Sequence, residues 1–185
     1  MKVIIGLGNP GDDYKYTRHN AGYLALDYLA AQQADMTHEN LSWQTNKKFQ
    51  SLVYKNGEYI FVKPLTFMNK SGEAAQAILN FYNLLPKKLG FIKTKSSDLS
   101  EVLIVIQDEI DLPLGKLKVS DNSGSAGHRG IESIINHLKT KNFRRIRLGI
   151  NSESKGQIPT DKFVLQKFNE NEKQILTTVF SQIEI

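Results

Sequence analysis

The chain has 185 residues, 40% of them hydrophobic and 23% charged, which suits one globular domain with a buried core and argues against disorder. Its net charge of +5 is a mild bias toward polyanionic partners that does not by itself indicate nucleic acid. The absence of cysteine excludes a disulfide framework and a thiolate metal site, and is compatible with the cytosol.

The opening run MKVIIGLGNPG is cut short by glycines, so Val3-Ile4-Ile5 reads as a buried strand and the segment does not read as a secretory signal. No apolar stretch approaches the about 18 residues of a membrane span, and a soluble intracellular protein is expected. Residues 21–31 are rich in Ala and Leu and place Leu24, Tyr28 and Ala31 on one helix face. Residues 35–48 read as a polar loop. Residues 49–54 and 59–62 read as strands flanking Asn56-Gly57, a hairpin signal. Residues 71–82 put Ala74, Ala77, Ile78 and Phe81 at helical spacing. The stretch 86–100, rich in Lys and Ser, reads as a surface loop inserted into the domain. A continuous apolar run at 102–106 predicts a central strand covered on both faces. Residues 115–120 and 143–150 alternate like strands, 130–139 set Ile131, Ile134, Ile135 and Leu138 on one helix face, and 169–183 form a closing helix. There is no internal repeat. Hairpin and crossover units in one chain predict an α/β fold, a single domain over 1–185 with a central mixed β-sheet flanked by helices.

Gly6-Leu7-Gly8-Asn9-Pro10-Gly11 matches G-x-G-x-x-G directly after a strand. In the dinucleotide-binding version a helix begins inside the glycine pattern, whereas here the next helix starts about ten residues later and no acidic residue ends a second strand at the required distance. The loop that replaces the early helix carries Asn9, Tyr14, Arg18, His19 and Asn20. His19 reads either as a histidine satisfied by its neighbours or as a base, since histidine is the side chain best poised to accept a proton near neutral pH. The segment from Pro64 to Gly72 presents Phe67, Met68 and Asn69 together; Asn69 or Ser71 reads as a helix N-cap and Phe67 as a staple, with ligand contact open to the others. Asp108, Glu109 and Asp111 follow the most apolar strand, as metal-binding carboxylates, as turn formers before Pro113, or with one of them orienting a histidine. The glycine-rich run from Gly124 to Gly130 reads as a phosphate site at a helix N-terminus or as a mobile loop.

Taken together and in this order, GLGNPG with Tyr14 and Thr17-Arg18-His19-Asn20-Ala21-Gly22, PLTFMNKSG, DEIDLPLGK and the segment containing Gly127-His128 resemble bacterial peptidyl-tRNA hydrolase. The resemblance covers residues 3 to about 150. It implies one α/β domain, a monomer needing no metal and no cofactor, acting in the cytoplasm on peptidyl-tRNA left by stalled or aborted translation. It implies that His19 is the catalytic base, that Asp108 holds its imidazole in the proton-accepting form, and that Asn9 contacts the peptide. Tyr14, Phe67 and Asn69 match substrate contacts, Met68 lines the same cleft, and Arg147 matches a basic position that grips the tRNA 5′ phosphate. The chain departs from the pattern at Arg129, where Asn is usual and which is kept as a candidate contact. It also departs at Ser120, where a basic residue is common, and at Asn151-Ser152-Glu153-Ser154, which replace a Gly-Arg-Pro turn. On alternation alone Lys116, Lys118, Arg145 and Arg147 are candidate phosphate contacts.

Overall fold

Strand β1 (Lys2–Gly6) sits at the centre of the fold because its side chains from Val3 onward are all buried. The structure, a computed structural model, describes residues 1–85 and 98–185. In it β1 pairs in parallel with β4 (Tyr59–Pro64) on one side and with β5 (Leu103–Pro113) on the other. Beyond β4 lie antiparallel β3 (Ser51–Asn56) and β2 (Gln44–Asn46); beyond β5 lie parallel β7 (Arg144–Asn151) and antiparallel β6 (Leu117–Ser120). The described strands make one mixed sheet in the order β2-β3-β4-β1-β5-β7-β6. The expected α/β domain with a mixed sheet is therefore what forms.

Side-chain alternation divides the core into two layers. Ile4, Ile104 and Ile106 face α1 (Ala21–Thr37) and α5 (Glu170–Phe180), while Val3, Ile5, Leu103 and Val105 face α2 (Ser71–Phe81) and α3 (Arg129–Leu138). A short helix, α4 (Thr160–Phe163), precedes α5 and buries Phe163 in the first layer.

Several local expectations need correcting. Residues 35–48 are not loop throughout, because α1 runs on to Thr37, His38 ends it in the left-handed region at φ 56°, and β2 follows. Helix α1 buries Ala21, Gly22, Ala25, Leu26, Leu29 and Ala30, and Leu24, Tyr28 and Ala31 lie at its flank. The small residues are what let it approach the sheet. Likewise Phe81 is 49% exposed, off the buried face of α2, with its ring 5.1 Å from that of Phe49. The hairpin turns at Gly57-Glu58, one residue later than read, since Asn56 pairs with Tyr59. The carboxylates after the apolar run are not in a turn, because β5 continues through them to Pro113. Of the stretch 86–100, residues 86–97 lie outside the described residues.

Gly22 decides how closely α1 meets the strand ends. A Cβ there would lie 2.4 Å from the carbonyl oxygen of Ile106 and 2.5 Å from the amide nitrogen of Leu7. One neighbour is backbone of β5 and the other the residue directly after β1, and neither can step aside, so only glycine permits this contact. The contact also sets the height of His19, three residues upstream, against β5. Replacing Gly22 by Ala is therefore expected to destabilise the fold by about 2 kcal/mol or more, in the range of overpacked cores. The midpoint of urea unfolding measures this, and an unchanged midpoint would show that α1 can lift without cost.

Candidate active site

The site stands at the carboxyl ends of β1, β4 and β5, where open α/β sheets build their clefts. The loop after β1 is held by an interlock of two asparagines. Asn9 N–H donates to Asn20 Oδ1 at 2.9 Å, and Asn20 Nδ2 donates back to the Asn9 carbonyl at 2.9 Å. The Asn9 side-chain oxygen in turn accepts from Met68 N–H at 2.8 Å, fixing the loop after β4 to the loop after β1. With its oxygen taken, the amide end left to Asn9 is a donor. Asn9, His19, Phe67, Met68, Asn69, Asp108 and Arg129 all line one cavity of about 850 Å³. Seven of the nine expected site residues are thus brought together.

Asp108 is the centre of the arrangement. It continues the parity of Ile104 and Ile106 and so turns toward the α1 layer, where His19 waits at the helix start. His19 Nδ1 lies 2.9 and 3.0 Å from the two Asp108 oxygens, and His128 Nε2 lies 3.0 Å from Oδ1. The two rings tilt at 43° with centroids 5.1 Å apart. Burial alone would push the Asp108 carboxyl up, but the two imidazoles outweigh it and hold the group well below the usual carboxylate range. A carboxylate has only acceptors, so both facing nitrogens must carry protons. In the neutral ring of His19 this leaves Nε2 unprotonated, with a lone pair and no hydrogen bond to the described residues. Burial lowers the His19 pKa, the charge and hydrogen bond of Asp108 raise it, and Arg129 lowers it; the net is a raised value.

His19, Asp108 and His128 also place three potential metal ligands within 4.8 Å of one another. The surroundings of His128 do not fit such a role. Its Nδ1 accepts from the amides of Gly130 and Ile131 at 3.2 and 3.4 Å. A metal on Nε2 would require a proton on Nδ1, pointed at two N–H groups. The same two bonds correct the reading of this glycine-rich segment as a phosphate site, because His128 itself occupies the helix amides an anion would need. Glu109 and Asp111 line the cavity as well, but Glu109 is taken by Arg147, at 2.7 Å to Nε and 2.5 Å to Nη2.

That ion pair leaves Arg147 engaged and off the cavity wall. Arg145 is 1% exposed and donates to the Gly124 carbonyl at 2.8 Å, so it supports the glycine-rich loop and is no surface phosphate contact. Lys116 and Lys118 are exposed. Tyr14 does not line the cavity; its ring stands edge-on to Phe67 at 6.4 Å. Neither Asn69 nor Ser71 caps α2 through its side chain. A 3-10 turn at Met68–Lys70 leads into the helix, and the Ser71 hydroxyl donates to the Met68 carbonyl instead. Phe67 is 57% exposed and staples nothing. The partner of Asp108 missed in the sequence is His128, whose signal was a histidine placed just before a helix start behind glycines.

Comparison with known proteins identifies the family. The family model for peptidyl-tRNA hydrolase matches residues 3–185. A peptidyl-tRNA hydrolase of Mycoplasma capricolum is 42% identical over 186 residues, covering 98% of this chain and 88% of that one. One from Brevibacillus brevis is 39% identical, covering 91% and 79%. The crystal structure of peptidyl-tRNA hydrolase from Acinetobacter baumannii superposes with a TM-score of 0.76 at 28% identity, covering 98% of this chain and 83% of the other.

One wall of the cavity holds a strained residue. His128 N–H closes a turn onto the Ser125 carbonyl at 3.0 Å, and the two residues inside it, Ala126 and Gly127, have φ of 49° and 81°. Two central residues at positive φ favour Asn-Gly, and alanine there costs about 1 kcal/mol. Ala126→Asn is expected to raise the melting temperature by about 2–4 °C. Calorimetry checks it; a fall would mean that the side chain at 126 is set by contacts and not by its backbone.

Proposed function

The chain belongs to the peptidyl-tRNA hydrolase family and is a hydrolase, and from that premise we propose that it cleaves the ester between a peptide and its tRNA with His19 as general base. The observation that carries this reading is the pair of bonds from His19 Nδ1 to Asp108, which directs the Nε2 lone pair to a cavity wall. Nε2 takes a proton from water as the oxygen adds to the acyl carbonyl. The tetrahedral intermediate then expels the 3′ oxygen of the terminal ribose, which takes the proton back from the imidazolium. The products are a peptide carboxylic acid, which gives its proton to solvent, and a tRNA with a free 3′ hydroxyl. An ester already has a good leaving oxygen, so positioning and general base catalysis, worth about 10²–10⁴-fold, serve without a metal or a covalent nucleophile.

The other cavity residues take roles consistent with this. Asn9 and Asn69 offer amide donors to the peptide and to the developing oxyanion. Phe67 presents an exposed ring, backed by Tyr14, to the peptide or the terminal base. Met68 adds an adaptable apolar floor. Arg129 is exposed on the first turn of α3 with no ion pair among the described residues, a cation free to meet the acceptor end of the tRNA. Arg147 reaches a tRNA phosphate only by exchanging Glu109 for it. The chain acts as a monomer in the cytoplasm, recycling tRNA after aborted translation.

The base assignment is tested on peptidyl-tRNA with EDTA present throughout. His19→Ala should abolish turnover while tRNA binding survives, since phosphate contacts and not the imidazole carry affinity. The base must be neutral, so wild-type activity rises as pH climbs through a His19 pKa above the ordinary 6.5. Asp108→Asn removes the charge that favours the imidazolium; the acid limb should then move to lower pH and the plateau rate should fall. Full activity of His19→Ala, or loss of wild-type activity in EDTA, would overturn the assignment. For Arg129, replacement by Ala should raise KM several-fold with little change in kcat, as loss of uniform binding does. Because Arg129 also holds the His19 pKa down, the acid limb of this variant should move slightly upward in pH. Unaltered kinetics with a changed melting temperature would make Arg129 a structural residue.

A further inference from the structure

Immediately before His19 stands a buried arginine that the hydrolytic scheme does not use. Arg18 is 2% exposed, and its Nη2 reaches both oxygens of Glu172 at 2.8 and 2.9 Å across 154 residues of sequence. The guanidinium lies over the rings of Phe163 and Phe168, at 4.3 and 5.0 Å from their centroids. Arg18 Nη2 also donates to Ser154 Oγ at 3.0 Å, and Ser152 Oγ donates to Glu172 at 2.8 Å. Glu172 further accepts from the Asn169 amide at 3.0 Å as part of the cap of α5. The turn at Asn151–Ser154, where this chain departs from the family pattern, therefore supplies two hydroxyls to a single ionic cluster.

What the cluster holds is the strip of chain that braces the base. Arg18 N–H donates to the Gln166 carbonyl, His19 N–H to the Val164 carbonyl, and Phe168 N–H to the Tyr16 carbonyl, at 2.8 to 2.9 Å. Thr17 bridges Lys167 in the same short antiparallel contact. Val164 and Leu165, on that strip, line the cavity beside His19. One face of the strip thus fixes the backbone of the base while the other forms the wall opposite the water it would activate.

The geometry points to Arg18 and Glu172 as positioning residues for His19, with Ser152 and Ser154 completing the clamp. This rests on His19 being the base. Their work is to hold the imidazole at a fixed height against Asp108, and a displacement of about 1 Å at a reacting group costs about a hundredfold in rate. A merely structural ion pair would do nothing of the kind, and the two roles separate experimentally. Removing one partner strands a buried charge and can unfold the protein, whereas replacing both by apolar residues of similar volume is often neutral for stability. The test is the double variant R18M/E172M, followed by melting temperature, single-turnover cleavage of peptidyl-tRNA, tRNA affinity, and the downfield proton resonance of His19 Nδ1–H.

The expected result is a folded protein with parental affinity, a single-turnover rate reduced at least about tenfold, and a shifted or broadened Nδ1–H resonance. A folded double variant with parental rate and resonance overturns the proposal. Should the double variant not fold, S152A/S154A decides, since these hydroxyls lie near the surface. A rate lowered about threefold with an altered resonance at unchanged melting temperature supports the clamp, and no change in either sinks it. The resonance reports geometry without turnover, so a failure of the base assignment, seen as full activity in His19→Ala, remains distinct from a failure of the clamp.

Discussion

Asp108 keeps a negative charge where water scarcely reaches it, 3% exposed within the run of buried residues that opens β5. That charge is stable only because two imidazoles donate to it, one from each layer of the fold. His19 comes from the α1 side and His128 from the start of α3 on the other. The glycine contact under α1 sets the first, and the helix amides of Gly130 and Ile131 set the tautomer of the second. A chain of donors therefore runs from the α3 backbone through His128 to Asp108. The same carboxylate then fixes which nitrogen of His19 is left bare. Neither imidazole could be ordered this way by solvent, which offers donors and acceptors indifferently.

Much of this arrangement was legible in the residues before any coordinates. The apolar run of β5 announced a central strand, and an orienting carboxylate just after it was among the readings left open for Asp108. The mismatch between the GLGNPG loop and a nucleotide-binding turn pointed to the loop that does hold His19. Where the reading failed, the missing information was non-local. Which carboxylate meets an arginine depends on the β5–β7 register, so the Glu109–Arg147 pair and the burial of Arg145 could not be read from alternation. The buried face of α1 was misplaced because alanine and glycine carry little hydrophobic weight in a pattern, yet close packing selects them. His128 was overlooked because a histidine beside glycines is read as loop. Its meaning comes from a helix N-terminus and a carboxylate twenty residues away.

Charge is distributed unevenly around the cavity. Glu109 is neutralised by Arg147, while Arg129 has no ionic partner among the described residues. Arg129 stands on the α3 side of a cavity that Asp111 and Asp161 also line, and it lowers the pKa of His19. On the proposed assignment, an anionic substrate that screens Arg129 would also return proton affinity to His19.

The strip at residues 164–168 pairs with the chain around His19 across nearly the whole sequence. During synthesis the His19 loop leaves the ribosome well over a hundred residues before its brace, so until then His19 has no wall behind it. Residues 160–180 must clear the exit tunnel before Arg18 can find Glu172. The ion pair that closes on the His19 loop therefore forms only once the 154 residues that separate Arg18 from Glu172 have been made.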